Sequence, residues 1–101
     1  MYNMKELQKL GALGKNSPDT MKAFQALNAG AMAEGEIPKK YKELIAVAVA
    51  ISKQCPYCIE VHKKSAIAAG VTEKELTEAV FIAATVAAGA AVTHGTHLID
   101  Q

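Results

Sequence analysis

The chain contains no arginine and no tryptophan, and all eleven of its basic residues are lysine. Arginine supplies the planar fork that grips carboxylates and phosphates through paired hydrogen bonds. Its absence weakens any reading built on a di- or trianionic substrate or on guanine recognition. Aromatic residues are also scarce, two Phe and three Tyr, so Ala, Val, Ile and Leu carry most of the apolar mass. That composition suits close-packed helices better than a sandwich or a barrel. Neither sign of charge is in excess: the formal net charge of +1 gives no sequence-wide field toward nucleic acid or an anionic bilayer. The first ten residues, MYNMKELQKL, carry charges where a signal peptide holds its apolar core, so export is not expected. The longest uncharged apolar run, 79–93, is shorter than the ~20 residues of a transmembrane helix. The expectation is a cytoplasmic protein with no nucleic-acid and no membrane partner, folded as a single domain over residues 1–101.

Cysteine is nearly absent as well, and the two that occur, Cys55 and Cys58, stand at C-x-x-C spacing. In a reducing cytosol that spacing points to catalysis or metal binding rather than to a structural staple.

The local signals predict helices throughout. Met4 to Leu13 places leucines at helical spacing, with Gly14 as a stop. Ser17-Pro18-Asp19 opens a second helix, to about Ala33, burying Met21, Phe24, Leu27 and Ala31 and ended by Gly35. Pro38 opens a third, to about Gln54; its interior, LIAVAVAI, alternates like a strand, but no turn residue separates it from the polar first turn Lys39 to Glu43. Cys55 is the expected N-cap of a fourth helix with Pro56 at its first position and Gly70 at its end. Thr72-Glu73-Lys74-Glu75 is a capping box for a fifth, from Glu73 to His94 or beyond. The fold class expected is all-α: a compact domain of about five helices. The fifth helix is apolar all round and rich in Ala and Gly from Ala79 to Val92. Such a helix must be covered on every side, and so short a chain has too few elements to do it. An obligate helical homo-oligomer with this helix at its centre is therefore expected.

Chemistry concentrates between Glu43 and His62. At about 100° per residue, Cys58 lies about 60° and His62 about 20° from Cys55, so all three share one helix face. C-x-x-C spacing at a helix start brings two sulfurs within disulfide reach. A thiol at a helix N-terminus meets unpaired backbone N–H groups and the positive dipole end, which favour its thiolate. His62 can take a proton or hydrogen-bond that thiolate, the pattern of a nucleophile with its base. Glu43 lies in line with the apolar stripe of the third helix, so it is either solvated at the rim or buried with a partner. If the third and fourth helices form a hairpin, that partner is His62 or a bridging water, and the carboxylate orients the imidazole. Rival readings are two inert buried cysteines, an ordinary first-turn acid at Glu43, and a zinc site from Cys55, Cys58 and His62 with His94 or His97 as fourth ligand. His94 and His97 also fit simple complementation of the fifth helix's negative end.

Glu43, eleven residues, Cys55-Pro56-Tyr57-Cys58, three residues, His62 resembles the signature of the alkylhydroperoxidase D-like proteins of the carboxymuconolactone decarboxylase superfamily. The resemblance spans roughly Ile37 to His97, the expected core of the domain. It implies an all-helical trimer or hexamer that reduces hydroperoxides or exchanges disulfides. Cys58 would attack the peroxide and become a sulfenic acid, Cys55 would resolve it as a disulfide, and His62 and Glu43 would form the proton relay. No cofactor would be bound; an external dithiol, such as the lipoyl group of another protein, would return the site to its reduced state, and a peroxiredoxin is a further redox partner in better-studied members. Those members carry a histidine between the cysteines where this chain has Tyr57, and a phenol does not serve as a neutral-pH base. The relay then rests on Glu43 and His62. Helix-end logic by itself names Cys55 as the attacking thiol, whereas the resemblance names Cys58. The superfamily's other branch, decarboxylation of a lactone carboxylic acid, is disfavoured by the missing arginine and the C-x-x-C pair.

Overall fold

The computed structural model describes residues 2–100. It contains five α-helices in chain order: α1 (Leu10–Asn16), α2 (Pro18–Met32), α3 (Lys39–Ser52), α4 (Pro56–Ala68) and α5 (Glu73–His94). A 3-10 helix, Met4–Lys9, leads into α1, and another, Gly95–Leu98, continues α5. Among the described residues there is no strand, so LIAVAVAI is helical as expected.

The core is formed by α3, α4 and α5. Val47 from α3, Ala66 from α4 and Val71 from the following turn form its centre, with Leu44, Ile51 and Leu76 packed around them. Ala79 and Ala83 are the buried residues of α5. Two successive Schellman motifs shape this unit. After α3, the Gln54 N–H donates to the Ile51 carbonyl at 3.0 Å and the Cys55 N–H to the Ala50 carbonyl at 3.1 Å. After α4, Gly70 and Val71 repeat the pattern onto Ile67 and Ala66, at 3.0 and 2.9 Å. Gly70, at φ +93°, suits the left-handed position; Gln54, at φ +54°, occupies the equivalent one with a side chain, which costs about 1 kcal/mol. Thr72 and Glu75 form the expected reciprocal capping box at the start of α5. The Thr72 N–H, followed by the Lys40 ammonium, holds the Glu75 carboxyl below its ordinary value.

The N-terminal third departs from expectation. Gly14 lies within α1 and does not end it. A Cβ there would come within 3.3 Å of Met21 Cγ, so the missing side chain lets α1 approach α2. Ser17 makes no side-chain cap, and α2 buries none of its residues. Phe24 and Leu27, expected inside, are 60% and 69% exposed, and Ala31 is exposed too. The physical reason is that the α1–α2 hairpin projects from the three-helix core. The radius of gyration, 16.9 Å, exceeds the ~13 Å of a compact chain of this length, and the longest extent is 54 Å. The expected compactness is therefore absent from the single chain.

Large apolar side chains are exposed along α5 as well, including Phe81, Ile82, Val86 and Val92. With its 3-10 continuation this helix reaches Glu73–Leu98, 26 residues, long and apolar enough to cross a membrane by length and composition alone. The run 79–93 therefore understates its uncharged length, because His94 ends that run and the next acidic or lysine residue is Asp100.

Candidate active site

Each site residue is placed by a local rule. Pro56 sits in the first turn of α4, and Cys55 precedes it as an N-cap with extended backbone. The Cys55 sulfur accepts the Cys58 N–H at 3.2 Å, so a thioether-sized acceptor takes the capping position usually held by an oxygen. The two cysteines form a disulfide with their Cα atoms 5.3 Å apart, inside the ordinary range, and both are half-buried. The chain is thus described in its oxidised form.

Helices α3 and α4 pack against one another, and the pairing brings Glu43 to His62. Glu43 Oε2 lies 3.2 Å from His62 Nδ1. Glu43 is 3% exposed and is the one buried charged residue among those described. Its carboxylate therefore belongs to the interior and not to a solvated first turn. When Nδ1–H donates to the carboxylate, the lone pair of His62 resides on Nε2, the nitrogen free to act as a base. The Cys55–Cys58 couple and His62 occupy the N-terminal half of α4, with His62 one turn beyond Cys58.

Two partners of the site escaped sequence reasoning. Lys39 Nζ lies 3.0 Å from the other carboxylate oxygen, Oε1 of Glu43. The four-residue spacing of Lys39 and Glu43 was the available signal. The second is the N-terminal segment: Tyr57 Oη accepts the Asn3 N–H at 3.3 Å, and the Tyr2 ring meets the Tyr57 ring edge-to-face at 5.4 Å. No local pattern links positions more than fifty residues apart.

A zinc site required His94 or His97 to join the cysteines and His62. These two histidines instead pack edge-to-face on each other, 5.1 Å between centroids, at the end of α5. Among the described residues no three metal-ligating side chains are grouped to hold an ion.

Comparison with known proteins adds the family. The profile of the Carboxymuconolactone decarboxylase family matches residues 18–101. A Paracoccus denitrificans protein named as uncharacterized protein 4 in the cox locus is 44% identical over 85 residues, covering 84% of this chain and 77% of its own. A Mycobacterium tuberculosis alkyl hydroperoxide reductase is 41% identical over 51 residues, half of this chain but 14% of that protein's length. Among solved structures, a carboxymuconolactone decarboxylase family protein from Legionella pneumophila superposes with a TM-score of 0.77 at 35% identity, covering 81% of this chain and 73% of its own. A Methanobacterium thermoautotrophicum protein superposes with a TM-score of 0.80 at 30% identity, covering 84% and 96%. The helical fold, the family profile and these relatives agree that the chain belongs to the carboxymuconolactone decarboxylase family.

Proposed function

We propose that this protein is a thiol-dependent oxidoreductase that reduces a hydroperoxide. The carrying observation is the buried Glu43–His62 pair, with His62 one helical turn beyond Cys58 of the Cys55–Cys58 couple. In the reduced protein, His62 Nε2 takes the Cys58 thiol proton, oriented through Nδ1 by Glu43. The Cys58 thiolate attacks the terminal peroxide oxygen, the O–O bond breaks, and the leaving alkoxide takes a proton from the imidazolium. Cys58 is then a sulfenic acid. The Cys55 thiol attacks its sulfur, releasing water and closing the disulfide. An external dithiol, for which a lipoyl group is the suggested source, reduces that disulfide in two exchange steps and becomes the cyclic disulfide itself. The tuberculosis alkyl hydroperoxide reductase supports this reading through a segment that includes half of the present chain. The decarboxylase reading finds less support, because no arginine is present to hold a dicarboxylate.

Self-association is part of the proposal. The outward residues of α2 and α5, Phe24, Leu27, Phe81, Ile82 and Val86, are each at least 60% exposed in one chain, a large apolar area for a soluble monomer. Further copies packing on α5 would cover them, as a trimer or hexamer in the cytoplasm.

The roles of the thiols are tested by stopped-flow reaction with an organic hydroperoxide and dimedone trapping. Cys55→Ser should still form one trappable sulfenic acid without closing a disulfide; Cys58→Ser should form none. Full peroxide turnover by Cys58→Ser would overturn the proposal.

A further inference from the structure

Glu43 presents two oxygens to two different cations. Oε2 meets His62 Nδ1 at 3.2 Å, and Oε1 meets Lys39 Nζ at 3.0 Å. Lys39 is the first residue of α3, where the helix dipole disfavours a cation, and a lysine four residues before a glutamate is the weaker order for such a pair. Local helix energetics therefore give no reason for lysine at this position. Its contacts supply one. The same ammonium donates to the Met32 carbonyl at 2.9 Å, in the last turn of α2, which holds no basic residue of its own. The Lys39 backbone N–H donates to Glu34 Oε1 at 3.2 Å. The ammonium is thus anchored from the α2 side and aimed at a buried carboxylate.

We propose that Lys39 is a positioning residue of the relay: a cation anchored outside it that holds the Glu43 carboxylate oriented through both proton states of His62. This role rests on the relay reading above. While His62 is protonated, Glu43 faces two cations; once His62 has given up its proton, Lys39 is the remaining one. The carboxylate then keeps its place and keeps Nδ1–H bound, so the lone pair stays on Nε2. Lys42 shares the end of α2 with Lys39, its ammonium on the Ala31 and Ala33 carbonyls. Glu34 faces Lys39 from the segment after α2, His62 comes from α4, and on the α5 side Glu75 is paired with Lys40 at 3.2 Å. Removing the Lys39 charge leaves Glu43 uncompensated, which strengthens its hold on a protonated His62.

The test measures the pH profile of Cys58 alkylation in the reduced full-length protein carrying Cys55→Ser, a readout independent of peroxide. Lys39→Met should move the midpoint by about half a pH unit or more, and Lys39→Arg should restore it. Lys42 serves as the control, because its ammonium also caps α2, on the Ala31 and Ala33 carbonyls, without touching Glu43. Lys42→Met should leave the midpoint in place. Lys39→Gln replaces the methionine variant should that one fail to fold by circular dichroism. An unmoved midpoint in Lys39→Met, an equal shift in Lys42→Met, or no rescue by arginine would overturn the role. His62→Ala measured alongside separates the two readings: a profile altered there but not in Lys39→Met rejects Lys39 alone, and one altered in neither rejects the relay with it.

Discussion

Ile82→Glu/Val86→Glu on α5 is the perturbation that most directly probes whether one chain is a complete folding unit. The two residues are four apart on one helix face and are 64% and 67% exposed. Fully burying such a side chain contributes about 1.5–3 kcal/mol, so covering the remaining two thirds contributes about 1–2 kcal/mol per residue. Two residues give about 2–4 kcal/mol per chain, and a carboxylate facing an apolar surface adds a desolvation cost. Since about 1.4 kcal/mol is tenfold in an equilibrium constant, the double variant should associate at least about 30- to 1,000-fold more weakly. Sedimentation velocity over a wide concentration range reads this directly, with far-ultraviolet circular dichroism to monitor helix content. The wild-type chain should sediment as a trimer or hexamer, and the variant should dissociate within the accessible range. A wild-type chain that sediments as a stable, fully helical monomer at every concentration would rule out assembly through α5, as would a double variant that assembles unchanged.

Three further outcomes follow from particular contacts. Glu43→Gln should slow single-turnover reaction of the reduced protein with an organic hydroperoxide by about 10²-fold or more, measured by stopped flow, because the amide no longer supplies the charge that stabilises the His62 imidazolium. Gln54→Gly should raise stability by about 0.5–1 kcal/mol in denaturant melts and Gly70→Ala should lower it by about 1 kcal/mol or more, because the two positions hold the same left-handed site of successive Schellman motifs. Glu75 has a folded-state value depressed from its usual 4.5, first by the Thr72 N–H and then by Lys40, so its contribution is present above about pH 4.5 and lost as pH falls through the folded value. The stability difference between wild type and Glu75→Gln should therefore be full at neutral pH and shrink on acidification below about pH 4.5; a difference that grows instead would contradict the sign.

Much of the helical layout was legible because it rests on local chemistry. Pro56 after Cys55, the Thr72–Glu75 capping box and the apolar stripe through Val47 each fix an element from neighbours a few residues away. Glu43 and His62 could be paired in advance because each marked the inner face of its own helix, and a hairpin leaves few other ways to bury both. What was not legible depends on contacts between elements. Gly14 carries the same stop signal as Gly70, yet α1 continues through it, and the missing side chain faces Met21 of α2 instead. Gln54 takes a left-handed conformation that its residue type does not announce. Phe24 and Leu27 read as core because amphipathic spacing shows which face is apolar but not whether anything covers it. Lys39 stood at readable spacing, and its significance comes from its anchor on the Met32 carbonyl across the turn.

Cys55 and Cys58 should form a working redox couple in solution. Intact-mass analysis with thiol alkylation, before and after one equivalent of an organic hydroperoxide, decides this. The reduced protein should take up two alkyl groups; the treated protein should take up none, be two mass units lighter, and regain both sites after a dithiol. Two thiols that remain fully alkylatable after hydroperoxide treatment would contradict it.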